Sequence, residues 1–215
     1  MMFRNWAGTM VDLSPESIFA EMKYYLFSMP KEKILPETAI RPMFSFVRKR
    51  FDYLAWTTEG CLTGVEIGVH VARNSYNILT LLPIKRLFLI DPYAEYIQDG
   101  NIANPKTDTD LIYKKAKERL KEFDGKAVFL REYSGHAANE IPNELDFVYI
   151  DGNHSYEFVK EDIALYYPKV RKGGIIGGND FDGGYLGVIY AVIEFCKENN
   201  LKLHAEKSDW WVVKE

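Results

Sequence analysis

A carboxylate and an imidazole stand three positions apart, directly after a strongly apolar stretch of the chain. The stretch is FVYI (147–150), and Asp151 and His154 follow it before a helical pattern begins. An imidazole can take up a proton near neutral pH, and a carboxylate can bind a cation or orient the imidazole. The pattern therefore indicates a site at the end of a buried strand. Two structural alternatives stay open, with Asp151 as a turn former and His154 as a residue that starts the helix.

Other predicted strands also present polar residues where they end. They are GVEIGV (64–69) with Glu66 and Gly68, RLFLID (86–91) with Asp91, AVFLRE (127–132) followed by Tyr133 and Ser134, and IIGGND (175–180) with Asn179 and Asp180. In open parallel sheets, ligands bind beyond the carboxyl ends of the strands, where the strand order reverses. We therefore expect these polar residues to border one shared pocket.

From about residue 63 onward, strands that are apolar on both faces alternate with helical patterns. This alternation predicts a parallel sheet that is covered by helices on both sides. The last two strands, LKLHAE (201–206) and DWWVVK (209–214), must be antiparallel, because the link between them is too short for a crossover. The predicted fold class is α/β, a Rossmann-like, doubly wound, mostly parallel sheet with an antiparallel C-terminal hairpin strand, plus N-terminal helices.

The chain is predicted to contain two regions. Residues 1–60 are rich in aromatic residues and methionine, with helices expected at 14–28 and 40–54, and form a helical lid or substrate segment. Residues 61–215 carry the sheet. The polar segment 92–110 is expected to be an irregular loop that closes over a ligand together with the N-terminal helices. The aromatic N-terminal segment also suits packing against a second copy of the chain.

Composition narrows the class of protein. The net charge of −4 argues against a nucleic acid as the main partner, because nucleic-acid-binding proteins usually carry a basic face. The only cysteines, Cys61 and Cys196, form no CxxC pair, which excludes a disulfide framework and a thiolate zinc site and suits a reducing compartment. No apolar run approaches the roughly 20 residues that cross a bilayer, and no signal-peptide pattern is present. We expect a cytoplasmic protein that does not act at a membrane.

Gly68 and Asp91 suggest a nucleotide-like ligand. Gly68 provides a small residue where a ligand could lie against the backbone, and the helix that follows can present its N-terminus to an anion. Asp91 lies about 23 residues beyond Gly68, as expected for a carboxylate that accepts hydrogen bonds from two ribose hydroxyls. This spacing fits both a nicotinamide cofactor and S-adenosylmethionine, but the absence of GxGxxG counts against the nicotinamide cofactor.

Two longer motifs make a resemblance specific. The stretches IDGNHSYE (150–157) and KGGIIGGND (172–180), in order with VEIGV and LFLIDPY, resemble class I S-adenosylmethionine-dependent methyltransferases. The sequence is most similar to the branch that includes the metal-dependent macrolide-sugar O-methyltransferases. The resemblance runs from about residue 62 to the C-terminus, so it covers the predicted catalytic domain and omits the N-terminal helices.

The resemblance implies roles for most of the polar residues at the strand ends. Glu66 would face the methionine amino group, Gly68 would border the cofactor, Asp91 would hold the ribose, Tyr133 and Ser134 would lie near the adenine, Asp151, Asn179 and Asp180 would hold a divalent metal such as magnesium, and His154 would be the general base. Asp151 would also border the cofactor. This chain departs from the family pattern at two positions. Ala72 stands where members of the family often have glycine, and Asn179 stands where the sugar methyltransferases typically have an acid.

The expected activity is methyl transfer to a hydroxyl of a small molecule, with a sugar favoured by analogy. The metal would lower the pKa of the hydroxyl, and His154 would remove its proton. The acidic metal site would also raise the pKa of His154, so the cation would help to keep the imidazole neutral. Three alternatives stay open, namely a cofactor-binding module without catalysis, a nicotinamide oxidoreductase, and a metal hydrolase built on Asp151 and His154.

Overall fold

The computed structural model describes residues 2–4, 10–12, 62–98, 101–103, 108–206 and 208–215. The chain divides into two compact units, Met1–Thr38 and Ala39–Glu215. In the first unit, β1 (Met2–Arg4) and β2 (Met10–Asp12) pair as an antiparallel ribbon. The predicted helices at 14–28 and 40–54 lie outside the described residues, as does the predicted boundary at residue 60.

The second unit contains the strands and helices that build the site. Its first elements are β3 (Leu62–Ile67), α1 (Arg73–Leu81), β4 (Ile84–Ile90), β5 (Tyr96–Gln98), β6 (Asn101–Ala103), α2 (Thr109–Arg119) and β7 (Ala127–Leu130). These are followed by α3 (Ser134–Ala137), β8 (Leu145–Ile150), α4 (Tyr156–Tyr166), β9 (Val170–Gly178), α5 (Leu186–Glu198), β10 (His204–Glu206) and β11 (Asp209–Val213). Short 3₁₀ turns at Lys121–Phe123 and Tyr167–Lys169 follow α2 and α4.

Seven of these strands form one sheet in the order β10-β11-β9-β8-β3-β4-β7. The five strands from β9 to β7 in this order are mutually parallel, whereas β11 is antiparallel to both of its neighbours. The predicted fold class is therefore confirmed. The order reverses at β3, which has β4 on one side and β8 on the other, so the cleft beyond β3 and β8 is the expected position for a ligand.

The core is formed by strands that are buried on both faces and by helices that cover them. All six residues of β8 are buried, which explains why its sequence LDFVYI shows no alternation of apolar and polar residues. Helix α5 buries Val188, Ile189, Val192 and Cys196, a stripe at helical spacing. Among the described residues, no helix is long and apolar enough to cross a membrane.

Three details differ from the sequence analysis. The segment 92–110 contains the β5–β6 hairpin and is not wholly irregular. The short helix α3 has no counterpart among the predicted elements. Strand β9 begins at Val170, before the strand predicted at 175–180, so Lys172-Gly173-Gly174 lies inside the strand. The register with β8 shifts there, and Gly173 has a positive φ of 75°, as in a bulge with extra residues in one strand of a pair.

Candidate active site

The carboxyl ends of β3, β4 and β8 border a cavity of about 950 Å³. Small-molecule sites usually measure about 300–1,000 Å³, so this cavity can enclose a nucleoside-sized ligand. Most of the predicted site residues line it, namely Glu66, Gly68, Asp91, Tyr133, Ser134, Asp151 and His154. Asn179 and Asp180 are not among the lining residues, but Asp180 contacts His154 directly.

Gly68 allows the ends of β3 and β8 to approach each other closely. Its φ is 86°, and a Cβ at this position would collide with the carbonyl oxygen of Asp151. The amide N–H of Asp151 donates to the carbonyl oxygen of Ile67 at 2.8 Å, which joins the two strand ends. This close approach is a requirement for glycine that was not predicted from the sequence, and because Gly68 also lines the cavity, the expected ligand contact stays a prediction. What lies against Gly68 is the protein backbone that carries Asp151 into the cavity.

Glu66 is a buried acid whose contacts are with neutral donors. The side-chain amide of Asn74 donates to one carboxylate oxygen at 3.0 Å, and the hydroxyl of Ser75 donates to the other. The pKa of Glu66 is raised to about 8, chiefly by burial and also by the charges of Asp151 and Asp91, while the two hydrogen bonds act in the opposite direction. A carboxylate in this position is suited to receive a cationic group of a ligand.

Asp91 organises the turn that follows β3. Its Oδ2 accepts the backbone N–H groups of Val69 and His70 at 3.0 and 2.8 Å, and its Oδ1 accepts the N–H of Tyr93 at 2.8 Å. A carboxylate has about four lone-pair positions, so it can accept a further hydrogen bond. In the same turn Ala72 has a φ of 56°, a left-handed conformation that glycine adopts more readily than alanine.

Tyr133 and Ser134 lie at another part of the cavity wall, where α3 begins. The Ser134 carbonyl oxygen accepts the hydroxyl of Tyr166 at 2.8 Å. Asp162 of α4 also lines the cavity, and the sequence analysis did not identify it. Burial raises its pKa to about 7, against the effect of a hydrogen bond with the Ser134 side chain. The available signal was an acid beside Val159 and Tyr166 on the apolar face of a predicted helix.

His154 is held by contacts on both ring nitrogens and on one face. Its Nε2 lies 2.7 Å from Asp180 Oδ2 and 3.9 Å from Asp151 Oδ1, and its Nδ1 lies 3.1 Å from Gln98 Nε2. The ring of Tyr185 packs on it with centroids 4.4 Å apart. The sequence analysis identified neither Gln98 nor Tyr185.

The contact between His154 and Asp180 is an ion pair without the alignment of a hydrogen bond. Despite the short distance, the buried Nε2 has no hydrogen-bond partner of suitable angle. Burial by itself lowers the pKa of His154, but Asp151 and Asp180 outweigh that effect and raise it to about 9. The expected rise caused by the acidic site is confirmed.

Asp151, His154 and Asp180 form a donor set that fits a divalent cation. Each offers one ligand atom, and the three atoms lie within 4.8 Å of one another. Burial raises the pKa of Asp151, and the charge of Asp180 adds to the rise, as expected where carboxylates converge without a cation between them. The misaligned Nε2 of His154 is a further group without a fully formed partner. Carboxylate oxygens are the ligands that hard cations such as Mg²⁺ prefer.

Asn179, the third predicted metal ligand, lies beside this set. Its amide nitrogen donates to Asp180 Oδ1 at 3.0 Å, and its amide oxygen accepts the hydroxyl of Ser208 at 2.9 Å. The oxygen retains one lone pair, so its role as a ligand stays a prediction. Asp180 itself has a φ of 61°, which is uncommon for a residue with a side chain and is typical of functional sites.

A further buried acid, Asp209, lies in the sheet near these residues. Its Oδ1 accepts the hydroxyl of Tyr149 at 3.0 Å, and its Oδ2 has no hydrogen-bond partner. Burial raises its pKa to about 7, and the charges of Asp151, Glu206 and Asp180 contribute. The sequence analysis placed Asp209 in a closing strand and assigned it no role.

The sequence of this chain is similar to a known protein family and to a known viral protein. Residues 64–181 match the family model described as a methyltransferase domain. The uncharacterized protein R132 of Acanthamoeba polyphaga mimivirus is 30% identical over 158 residues, which are 73% of this chain and 68% of the viral protein.

Solved structures share the fold at low sequence identity. CalS11, a calicheamicin methyltransferase, superposes with a TM-score of 0.57 at 14% identity over 94% of each chain. Its apo form is described as a TDP-rhamnose 3′-O-methyltransferase. The O-methyltransferase NovP gives a TM-score of 0.58 at 15% identity, covering 80% of this chain and 78% of NovP. A Streptococcus mutans protein in complex with SAH gives 0.57 at 12% identity, covering 83% of this chain and all of that one.

Proposed function

This chain belongs to the methyltransferase domain family of class I S-adenosylmethionine-dependent enzymes, and from that premise we propose that it methylates a hydroxyl oxygen of a small molecule. One observation carries the proposal. A single cavity is lined both by the residues predicted to bind the cofactor, such as Glu66 and Asp91, and by the predicted reaction residues Asp151 and His154. Donor and acceptor must meet within near-attack distance for direct transfer, and a shared cavity permits this.

The cofactor half of the cavity suits S-adenosylmethionine, which supplies an electrophilic methyl group when bound. Glu66 would pair with the amino group of the methionine part, because a buried carboxylate surrounded by neutral donors gains most from an added cation. Asp91 would accept a ribose hydroxyl with its remaining acceptor capacity. Tyr133 and Ser134 would border the adenine.

In the acceptor half, His154 would act as the general base. An aliphatic hydroxyl is a weak nucleophile at neutral pH, so removal of its proton during transfer accelerates the reaction, typically about 10²–10⁴-fold. Nε2 is the ring nitrogen that faces Asp151 and Asp180, whereas Nδ1 is engaged by Gln98. We therefore assign the proton transfer to Nε2.

Asp151 and Asp180, with Asn179 beside them, would hold a divalent metal, and His154 would lie next to it without binding it, so that Nε2 stays available for the proton. The metal when bound lowers the pKa of the acceptor hydroxyl and orients it. The two carboxylates also hold His154 in place through their contacts with Nε2. A cation between them would offset the charge that keeps the imidazole protonated, and a neutral imidazole is the form that can accept a proton.

A sugar hydroxyl is the acceptor class that we favour. One structural neighbour is named for its action on TDP-rhamnose, which makes a sugar the first class to test. The ring of Tyr185, which is 36% exposed and packs on His154, offers an apolar face beside the proposed base. Aromatic rings in binding sites commonly present such a face to ligands.

Calorimetric titration with SAH tests the assignment of Asp91 to cofactor binding and of Asp180 to metal binding. Asp91→Ala should weaken SAH binding at least about 10-fold, because it removes the ribose partner and leaves the backbone donors of the turn unpaired. Asp180→Ala should leave SAH affinity nearly unchanged. Equal effects of the two substitutions would contradict the assignment of cofactor and metal residues.

A transfer assay tests the chemistry. Formation of SAH from S-adenosylmethionine would be followed by mass spectrometry with a panel of free sugars, nucleotide sugars and simple alcohols. With an active acceptor, a chelator should suppress turnover while SAH still binds, and His154→Ala should lower the rate about 10²–10⁴-fold. Full activity of His154→Ala would remove the general base, and full activity in chelator would remove the metal.

A further inference from the structure

The β5–β6 hairpin brings an amide to the ring nitrogen of His154 that the proposed proton transfer does not use. Gln98 is the last residue of β5, and its side-chain nitrogen lies 3.1 Å from Nδ1. The opposite nitrogen, Nε2, faces Asp180 and Asp151. The imidazole is therefore held between a carboxylate pair and one neutral amide.

The two nitrogens of a neutral imidazole have opposite roles, since one donates and the other accepts. With Gln98 donating to Nδ1, the ring proton lies on Nε2, directed at the carboxylates. To accept a proton at Nε2, the ring must carry its hydrogen on Nδ1, and that hydrogen needs an acceptor. A half-turn of the Gln98 amide about its last bond exchanges nitrogen for oxygen and provides one.

We propose that Gln98 is a positioning residue for His154, whose amide donates to Nδ1 when the only ring hydrogen lies on Nε2 and accepts Nδ1–H in the imidazolium and in the tautomer that leaves Nε2 free. This inference rests on the proposed function of His154 as the base. It explains why an amide occupies this position, because a carboxylate could only accept and an apolar side chain could do neither. It also gives the hairpin a part in orienting the proposed base.

The chain contains a single glutamine, which allows a spectroscopic test that needs no acceptor substrate. Protein labelled with ¹⁵N only in the glutamine side chain gives one amide signal, and labelled histidine reports which ring nitrogen carries hydrogen. At a pH high enough to leave the ring neutral, we expect the ligand-free protein to carry its hydrogen on Nε2, beside Asp180, with the amide nitrogen of Gln98 at Nδ1. Addition of Mg²⁺ and SAH should move the hydrogen to Nδ1 and shift the Gln98 signal.

Two substitutions separate the two functions of the amide. Gln98→Leu removes both functions and should lower kcat about 10-fold or more, the loss of about one oriented hydrogen bond, with SAH affinity unchanged. Gln98→Glu keeps the acceptor and should recover part of the rate, with the hydrogen of His154 fixed on Nδ1 in the ¹⁵N spectrum. Asn139→Leu, which replaces an exposed amide outside the cavity, is the matched control and should leave kcat and the spectrum unchanged.

The outcomes are decisive in both directions. Wild-type kcat in Gln98→Leu, or a Gln98 signal that is the same in wild type and in His154→Ala, would overturn the proposal. Thermal unfolding of each variant identifies a loss of rate that comes from unfolding, and the histidine spectrum then still tests the contact in the wild-type protein. If His154→Ala retains full activity while the Gln98 signal responds to that substitution, the proposed base fails but the contact stands.

Discussion

Glu66 is a residue whose burial disfavours its charged form in the ligand-free protein and suits it to bind a cation. Its carboxyl is buried and receives two neutral hydrogen bonds, and its pKa of about 8 indicates that the ligand-free protein holds it largely protonated at neutral pH. Binding an ammonium group would favour the ionised form. The ionised form of Glu66 is thus disfavoured in the ligand-free protein and favoured in the complex that we propose.

The pH dependence of SAH binding tests this interpretation of Glu66. We expect affinity to rise between about pH 6 and about pH 8, because the ionised carboxylate that pairs with the ammonium becomes more populated as pH approaches the pKa of about 8. Glu66→Gln should bind SAH about 10-fold more weakly and should lose most of this rise. Calorimetry over that range measures both effects. An affinity independent of pH in the wild-type protein would contradict the pairing.

At the residue scale, the sequence could predict those site residues that directly follow apolar strands. Asp91 and Asp151 were found because the carboxyl ends of parallel strands meet at one edge of the sheet. Asp162 and Gln98 were missed for different reasons. Asp162 reaches the cavity from a helix face, and Gln98 reaches His154 only because a hairpin folds back toward β8. The contact of Gln98 does not follow from a local pattern, whereas the place of Asp162 on an apolar helix face was an available signal.

At the element scale, α5 packs directly against the segment that carries His154. A Cβ at Gly187 would collide with the carbonyl oxygen of His154 and would lie 2.6 Å from the amide nitrogen of Tyr156. Backbone atoms cannot move aside as the end of a flexible side chain can. Glycine at the start of α5 is therefore a condition for the position of the imidazole.

Substitution of Gly187 by alanine tests this packing. The greater helix propensity of alanine would favour the substitution by about 1 kcal/mol, but overpacking against backbone typically costs about 1–3 kcal/mol. We expect a net loss of stability and a reduced kcat as the His154 segment shifts, measured by urea unfolding and the transfer assay. Gly183→Ala is the control, since a Cβ there meets no atom within 4 Å. Equal behaviour of the two variants would contradict the packing argument.

Strands could be predicted from the sequence where an apolar pattern extended over four or more residues. Strands β3, β4, β7 and β8 were expected within about three residues of their observed bounds, because each contains an uninterrupted apolar run. The β5–β6 hairpin was missed because each strand has only three residues. Asp99-Gly100 between YIQ and NIA is a strong hairpin signal in the sequence and would have identified it.

At the scale of the whole molecule, several ionisable groups around the cleft bind protons more tightly in the folded state than in the unfolded chain. The pKa of Glu66 rises from 4.5 to about 8, and those of Asp162 and Asp209 rise from 3.8 to about 7. That of His154 rises from 6.5 to about 9. Burial causes the rise in the three acids, and the neighbouring carboxylates cause it in the imidazole.

These shifts all act on stability in the same direction. A group with a raised pKa in the folded state contributes stability that is present below its unfolded pKa and is lost as pH rises through its folded pKa. The window set by the four groups runs from about pH 4 to about pH 9. We therefore expect the free energy of unfolding to fall by at least about 2 kcal/mol between about pH 5 and about pH 9, measured by urea unfolding.

SAH and Mg²⁺ should oppose this fall in the free energy of unfolding, because they bind the ionised carboxylates, which the ligand-free protein disfavours. A triple variant with Glu66→Gln, Asp162→Asn and Asp209→Asn should show a flatter dependence of stability on pH, since His154 is then the only one of these four groups that still titrates in the window. In the wild-type protein, the stabilisation by SAH with Mg²⁺ should be greater at about pH 8 than at about pH 6, as cations then meet ionised carboxylates. Stability that rises with pH in the free protein, or ligand stabilisation that falls with it, would show that these acids are not held protonated in the folded state.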